Sequence, residues 1–99
     1  MTIQSKNNHI IPRLKILGVG SLKTRALKAN LLEALEAMEL DLPMLEVEGV
    51  KELMQYDIIG IPAIIVDDDI LIQKEVPSVE VLVEILEPFF EHKNENGTD

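Results

Sequence analysis

Cysteine is absent from the 99-residue chain. That excludes disulfides, thiolate nucleophiles, iron–sulfur clusters and cysteine-based zinc sites together. Tryptophan is also missing, and one Tyr and two Phe are the whole aromatic complement. No apolar run approaches the roughly 18–20 residues that a membrane-spanning helix needs. The polar start, with Gln4, Ser5, Lys6, Asn7 and Asn8, lacks the apolar stretch of a secretory signal and gives the expectation of a cytoplasmic protein. Histidine is confined to His9 and His92, beside the polar ends, which argues against an imidazole base or a histidine metal site. No metal and no cofactor are expected.

Charge is present in excess of one sign. Nine Lys and Arg stand against eighteen Asp and Glu, a formal charge of −9, which disfavours nucleic acid and anionic membrane as partners. Its distribution is uneven. Residues 1–32 hold six basic side chains and no acidic one, whereas the rest holds eighteen acidic and three basic, a local charge of −15. A cationic third joined to an anionic remainder fits attraction within the fold, attraction between two copies as a homodimer, or a local anion site near the first helix.

At 11.1 kDa the chain has room for one domain. Residues 1–10 and 92–99 read as polar tails around a domain spanning 11–91, and the Asn96–Thr98 sequon reads as chance without a secretory route. Arg13–Val19 is a short apolar run suited to a strand. Gly20-Ser21 then supplies a turn and a helix N-cap, and Leu27, Leu31, Ala34, Leu35 and Met38 recur at helical spacing within 22–40. Met44–Glu48 alternates as a strand, and Val50–Tyr56 fits a helix of two turns or fewer with Val50, Leu53 and Met54 on one side. Pro62–Val66 is an apolar, β-branched run expected to be buried on both faces. Asp67–Asp69 reads as a solvated turn, since the glycine and glutamate of a calcium loop are missing, and Ile70–Lys74 returns as a hairpin arm.

The last element, Val79 to about Glu87, alternates almost as a strand does, but Ser78 offers a cap and Val79, Leu82, Val83 and Leu86 form a helical stripe. A helix is therefore expected, with Val81 and Ile85 left over as spare apolar surface. The order β-α-β-α-β-β-α describes an α/β domain with a four-stranded mixed sheet flanked by helices.

In that order the segment Lys15-Ile16-Leu17-Gly18-Val19-Gly20-Ser21-Leu22-Lys23-Thr24 resembles the opening of small, glutaredoxin-sized thioredoxin-like proteins of bacteria and archaea. In that family a strand ends in Gly-x-Gly and runs into Cys-x-x-Cys at the helix start. Tyr56–Val66 is similar to the family's cis-proline strand, and Val76–Glu80 to its lead into the last helix. The resemblance covers residues 13–87 and implies a thioredoxin-like fold with Pro62 cis and Ile61 beside Ser21 and Leu22. It departs at the chemistry, because Ser21 and Thr24 stand at the two cysteine positions. A hydroxyl neither ionises near neutral pH nor forms an exchangeable bond to sulfur, so thiol–disulfide exchange is excluded.

The remaining expectation is a binding surface made of Gly20, Ser21, Leu22, Lys23, Thr24, Arg25, Ile61 and Pro62, with no catalytic residue assigned. Its partner would be a protein or peptide. A different reading makes the first helix start a site for a small anion or a glutathione-type thiol, transferase-like, with Lys23, Arg25 and Lys28 as cations. A plainer one makes Ser21 only a cap. A P-loop is excluded because Leu17 and Leu22 stand where its glycines are required.

Overall fold

A computed structural model describes residues 12–90. The tails expected at 1–10 and 92–99, both histidines and the sequon lie outside the described residues. Within them the order is β1 (Leu14–Leu17), α1 (Leu22–Ala37), β2 (Met44–Val47), α2 (Val50–Leu53), β3 (Ala63–Val66), β4 (Asp69–Gln73) and α3 (Val79–Leu86), closed by a 3-10 turn at Glu87–Phe89. The sheet runs β2-β1-β3-β4. β1 pairs parallel to β2 and antiparallel to β3, and β3 pairs antiparallel to β4.

Strand periodicity divides the core in two. Leu14 and Ile16 of β1 and Ile64 and Val66 of β3 face α1 and α3, joining Leu27, Leu31, Leu82 and Leu86 in the larger cluster. Leu17, Ala63 and Ile65 face the other way and meet Val47 beneath Leu53 and Tyr56. Every residue of β3 is buried, which is why its sequence carries no polar alternation. Ile70 and Ile72 of β4 fall in different clusters although they are two apart. The register explains it: Ile72 opposes Ile64 and Ile70 opposes Ile65, so Leu71 is the extra residue of a β-bulge that turns the strand over.

The strands are trimmed by a residue or two from the sequence reading, and three further boundaries differ for a structural reason. α1 stops at Ala37, not Leu40, because Glu39 turns to φ 59° and two bonds close the end, from Glu39 N–H to Glu36 O at 3.0 Å and from Leu40 N–H to Leu35 O at 2.9 Å. This is a Schellman closure with a non-glycine residue at its left-handed position. α2 is a single turn ending at Leu53, which leaves Val50 67% and Met54 77% exposed instead of packed beside Leu53. Asp67 and Asp68, at φ 51° and 73°, make a two-residue hairpin loop, so β4 already begins at Asp69. α3 is a helix: Ser78 Oγ accepts the Val81 N–H at 3.2 Å, and Leu82 and Leu86 are fully buried. Among the described residues no helix is long and apolar enough to cross a membrane.

Candidate functional site

One rung of the sheet fixes where the site lies. Val47, Leu17, Ala63 and Gln73 are register partners across all four strands. From this rung the chain leaves through Gly18–Ser21 into α1, through Glu48 and Gly49 into α2, and through Lys74 toward α3, while residues 58–62 arrive into β3. The Gly18 N–H extends the β1–β2 ladder by donating to Val47 O at 3.0 Å. All the segments of the expected binding surface therefore gather at one end of the sheet.

Ser21, with extended backbone at φ −104° and ψ 171°, is the N-cap of α1. Its Oγ accepts the Thr24 N–H at 3.2 Å and lies 3.1 Å from Thr24 Oγ1, so the two hydroxyls at the expected dithiol positions touch each other. Thr24 leans on buried Gly18, where a Cβ would stand 2.5 Å from Thr24 Oγ1, so this position admits only glycine without a shift. Gly20 has open space around it. Leu22 points into solvent, 81% exposed. The cations are mostly committed: Lys23 Nζ donates to Lys74 O at 3.2 Å, and Lys28 pairs with Glu46 at 2.7 Å. Arg25 is exposed and has no carboxylate partner among the described residues. α1 carries no acid in its first turn and no base in its last, the reverse of what its dipole favours.

Across from this helix start lies the loop before β3. The Ile61–Pro62 peptide bond is cis and Pro62 is buried, with Ile61 half-buried before it. Lys74 ties this loop to the start of α1 through three contacts. Its N–H donates to Pro62 O at 2.7 Å, its C=O accepts Lys23 Nζ, and its aliphatic stem lies across Gly60. To do so it adopts φ 66°, a left-handed conformation uncommon for a side chain of this size. Gln73 adds a fourth tie, its Oε1 accepting the Ile59 N–H at 2.6 Å. Ile59 is left 79% exposed.

Residues 13–87 match the family model described as a thioredoxin domain. The chain belongs to the thioredoxin-domain family. No curated protein and no solved structure gives a significant match.

This thioredoxin domain has no redox dithiol, because the chain has no cysteine. The geometry brings Ser21, Thr24 and Lys23 together and ties Lys23 through Lys74 to Pro62, whereas Arg25 stands apart. Ile59, Gln73 and Lys74 were not among the expected site residues. Ile59 was legible as an apolar residue just before the Gly60-Ile61-Pro62 loop, but no local signal announces a lysine with positive φ. Among the described residues no group of three His, Asp or Glu side chains is arranged to hold a metal ion.

The opposite end of the sheet is a structural clasp. Arg13 donates through Nε to Asp67 Oδ1 at 2.7 Å and through Nη2 to Asp67 Oδ2 at 2.5 Å, and Nη2 also reaches Phe89 O at 3.0 Å. The guanidinium lies 4.6 Å from the centre of the Phe90 ring. The hydrogen bonds from Arg13 hold the Asp67 carboxyl below its ordinary value, outweighing an opposing effect of desolvation, and the guanidinium charge adds to them.

Proposed function

We propose that this thioredoxin domain is a non-catalytic binding module whose partner is a protein or peptide bearing an apolar segment. The segment seats against Leu22, Ile59 and Ile61 at the loop end of the sheet. The observation that carries this reading is where apolar surface is left uncovered. Of eight exposed large hydrophobics among the described residues, Val19, Leu22, Val50, Met54 and Ile59 all lie on the segments at that end. Covering a Leu or Ile side chain is worth about 1.5–3 kcal/mol before the costs of association. The ties from Lys74 and Gln73 support a preformed surface, which lowers those costs.

The anion or glutathione-type reading receives less support. Ser21 Oγ is occupied by Thr24, and two of the three nearby cations are turned to Lys74 O and Glu46.

The test selects peptides from a random library on the immobilised domain and maps the winners by amide shifts on labelled protein. Apolar peptides shifting residues 19–22 and 59–63, weakened about tenfold by Leu22→Ser or Ile59→Ser, are expected, since about 1.4 kcal/mol is one decade. Both side chains are exposed, so neither substitution opens a cavity. Peptides mapping elsewhere, or saturable shifts at residues 20–25 with phosphate or glutathione alone, contradict the reading.

A further inference from the structure

A second surface lies beyond the loop end and shares Ile59 and Gln73 with it. Between edge strand β4 and α3 runs a cleft of about 710 Å³ whose lining includes Leu71, Val76, Pro77, Val81 and Ile85. Val81 and Ile85 are successive residues on one face of α3, and Val81 is 43% exposed. Val81 is the side chain that the buried Leu82 and Leu86 stripe leaves over, while Ile85 is half-buried, packed in part against the main core. Its α3 side is acidic, while Lys74 stands at the loop-end rim between the lining residues Gln73 and Glu75. Glu75 lines it, Glu80 and Glu84 flank Val81 and Ile85 in sequence, and residues 75–90 contain four Glu and no Lys, Arg or His. None of the four pairs with a cation among the described residues.

Two observations decide what would fit. An added strand would need a regular ladder edge, but β4 is bulged at Leu71, which spoils main-chain pairing. Side chains entering the cleft from a helix need no such edge. A cationic segment is drawn to this acidic side, whereas a second copy could answer it only through its cationic first third and against a net charge of −9. We propose that the β4–α3 cleft docks a basic amphipathic helix of another protein. Its apolar side chains would pack on Leu71, Val81 and Ile85 while its Lys or Arg residues meet Glu75, Glu80 and Glu84.

The probe is a synthetic helical peptide of leucine and lysine with one apolar face, titrated into labelled full-length protein. A scrambled Leu/Lys peptide and a Leu/Glu peptide of the same pattern serve as controls. Saturable amide shifts at residues 71–77 and 81–85 with the patterned Leu/Lys peptide alone are expected. Affinity should fall with added salt and drop about tenfold or more in Val81→Glu, and also in the Glu80→Lys/Glu84→Lys double variant. Both variants change exposed positions, and Leu22→Ser should leave this binding unaltered. Three results would overturn the proposal: no shifts in the cleft, equal shifts with the scrambled peptide, or concentration-dependent shifts of the protein alone at the cleft that mark a second copy as its occupant.

Discussion

Replacing Ser21 by alanine separates a helix cap from a functional hydroxyl. Ser21 Oγ accepts one backbone N–H, that of Thr24 at 3.2 Å, and touches Thr24 Oγ1 at 3.1 Å, both at exposed positions where water can replace a lost partner. The expected cost is that of an N-cap, about 1 kcal/mol. The structure contains its own standard. Ser78 caps α3 through the Val81 N–H at the same 3.2 Å, so Ser78→Ala should cost a similar amount. For a domain of this size about 1 kcal/mol lowers Tm by roughly 4–8 °C. Ser21→Asp should recover most of the loss, because aspartate caps as well as serine and adds charge where the helix dipole favours it. Denaturant titration of the variants measures all of this, with the affinity of a selected peptide followed alongside. Equal losses in the two alanine variants with unchanged peptide affinity are the expected result. A Ser21→Ala variant of wild-type stability, or one that loses peptide binding while folded, would refute the capping assignment.

Further outcomes follow from other positions. Glu39→Gly places the residue that the left-handed Schellman position favours at φ 59°, and should stabilise the domain by about 0.5–1 kcal/mol in the same titration, net of the added freedom of the unfolded chain. Gly18→Ala drives a Cβ to within 2.5 Å of Thr24 Oγ1 and should destabilise by about 1–3 kcal/mol, part of which a Thr24→Ser partner change recovers. Asp67 has its carboxyl held low by Arg13, so its contribution to stability is complete above the ordinary carboxylate value and disappears as pH falls through the lowered one. Asp67→Asn should therefore be less stable than wild type near neutral pH. The gap should close on acidification, which thermal melts across that range would show.

The elements easiest to read were those whose pattern comes from burial alone. The Leu27, Leu31, Ala34, Leu35 and Met38 stripe is buried throughout, and the unbroken apolar run of β3 lies inside two core clusters. In α3 the alternation pointed to a strand, but the Ser78 cap and the Leu82–Leu86 stripe prevailed, since packing overrides the β-branched preference of Val79, Val81 and Val83. What stayed hidden depends on contacts far apart in sequence or on backbone conformations that composition does not signal. Arg13 meets Asp67 across 54 positions. The bulge at Leu71, the left-handed turn at Glu39 and the positive φ of Lys74 are set by the surrounding fold. The helix start was legible as a site candidate, yet the commitment of Lys23 to Lys74 O and Lys28 to Glu46 was not. Those two contacts favour the apolar reading over the anion one.

The most direct test of a redox-site scaffold without redox chemistry is to restore the chemistry. The Ser21→Cys/Thr24→Cys double variant places two thiols where hydroxyls now lie 3.1 Å apart, and the measurement is the thiol count and mass of the monomer after mild oxidation. Loss of two hydrogens in an intramolecular disulfide, with catalysed reduction of a protein disulfide by the variant and none by wild type, is the expected result. A folded variant that keeps two free thiols, or that forms only bonds between molecules, would contradict the placement of Ser21 and Thr24 at the family's dithiol site.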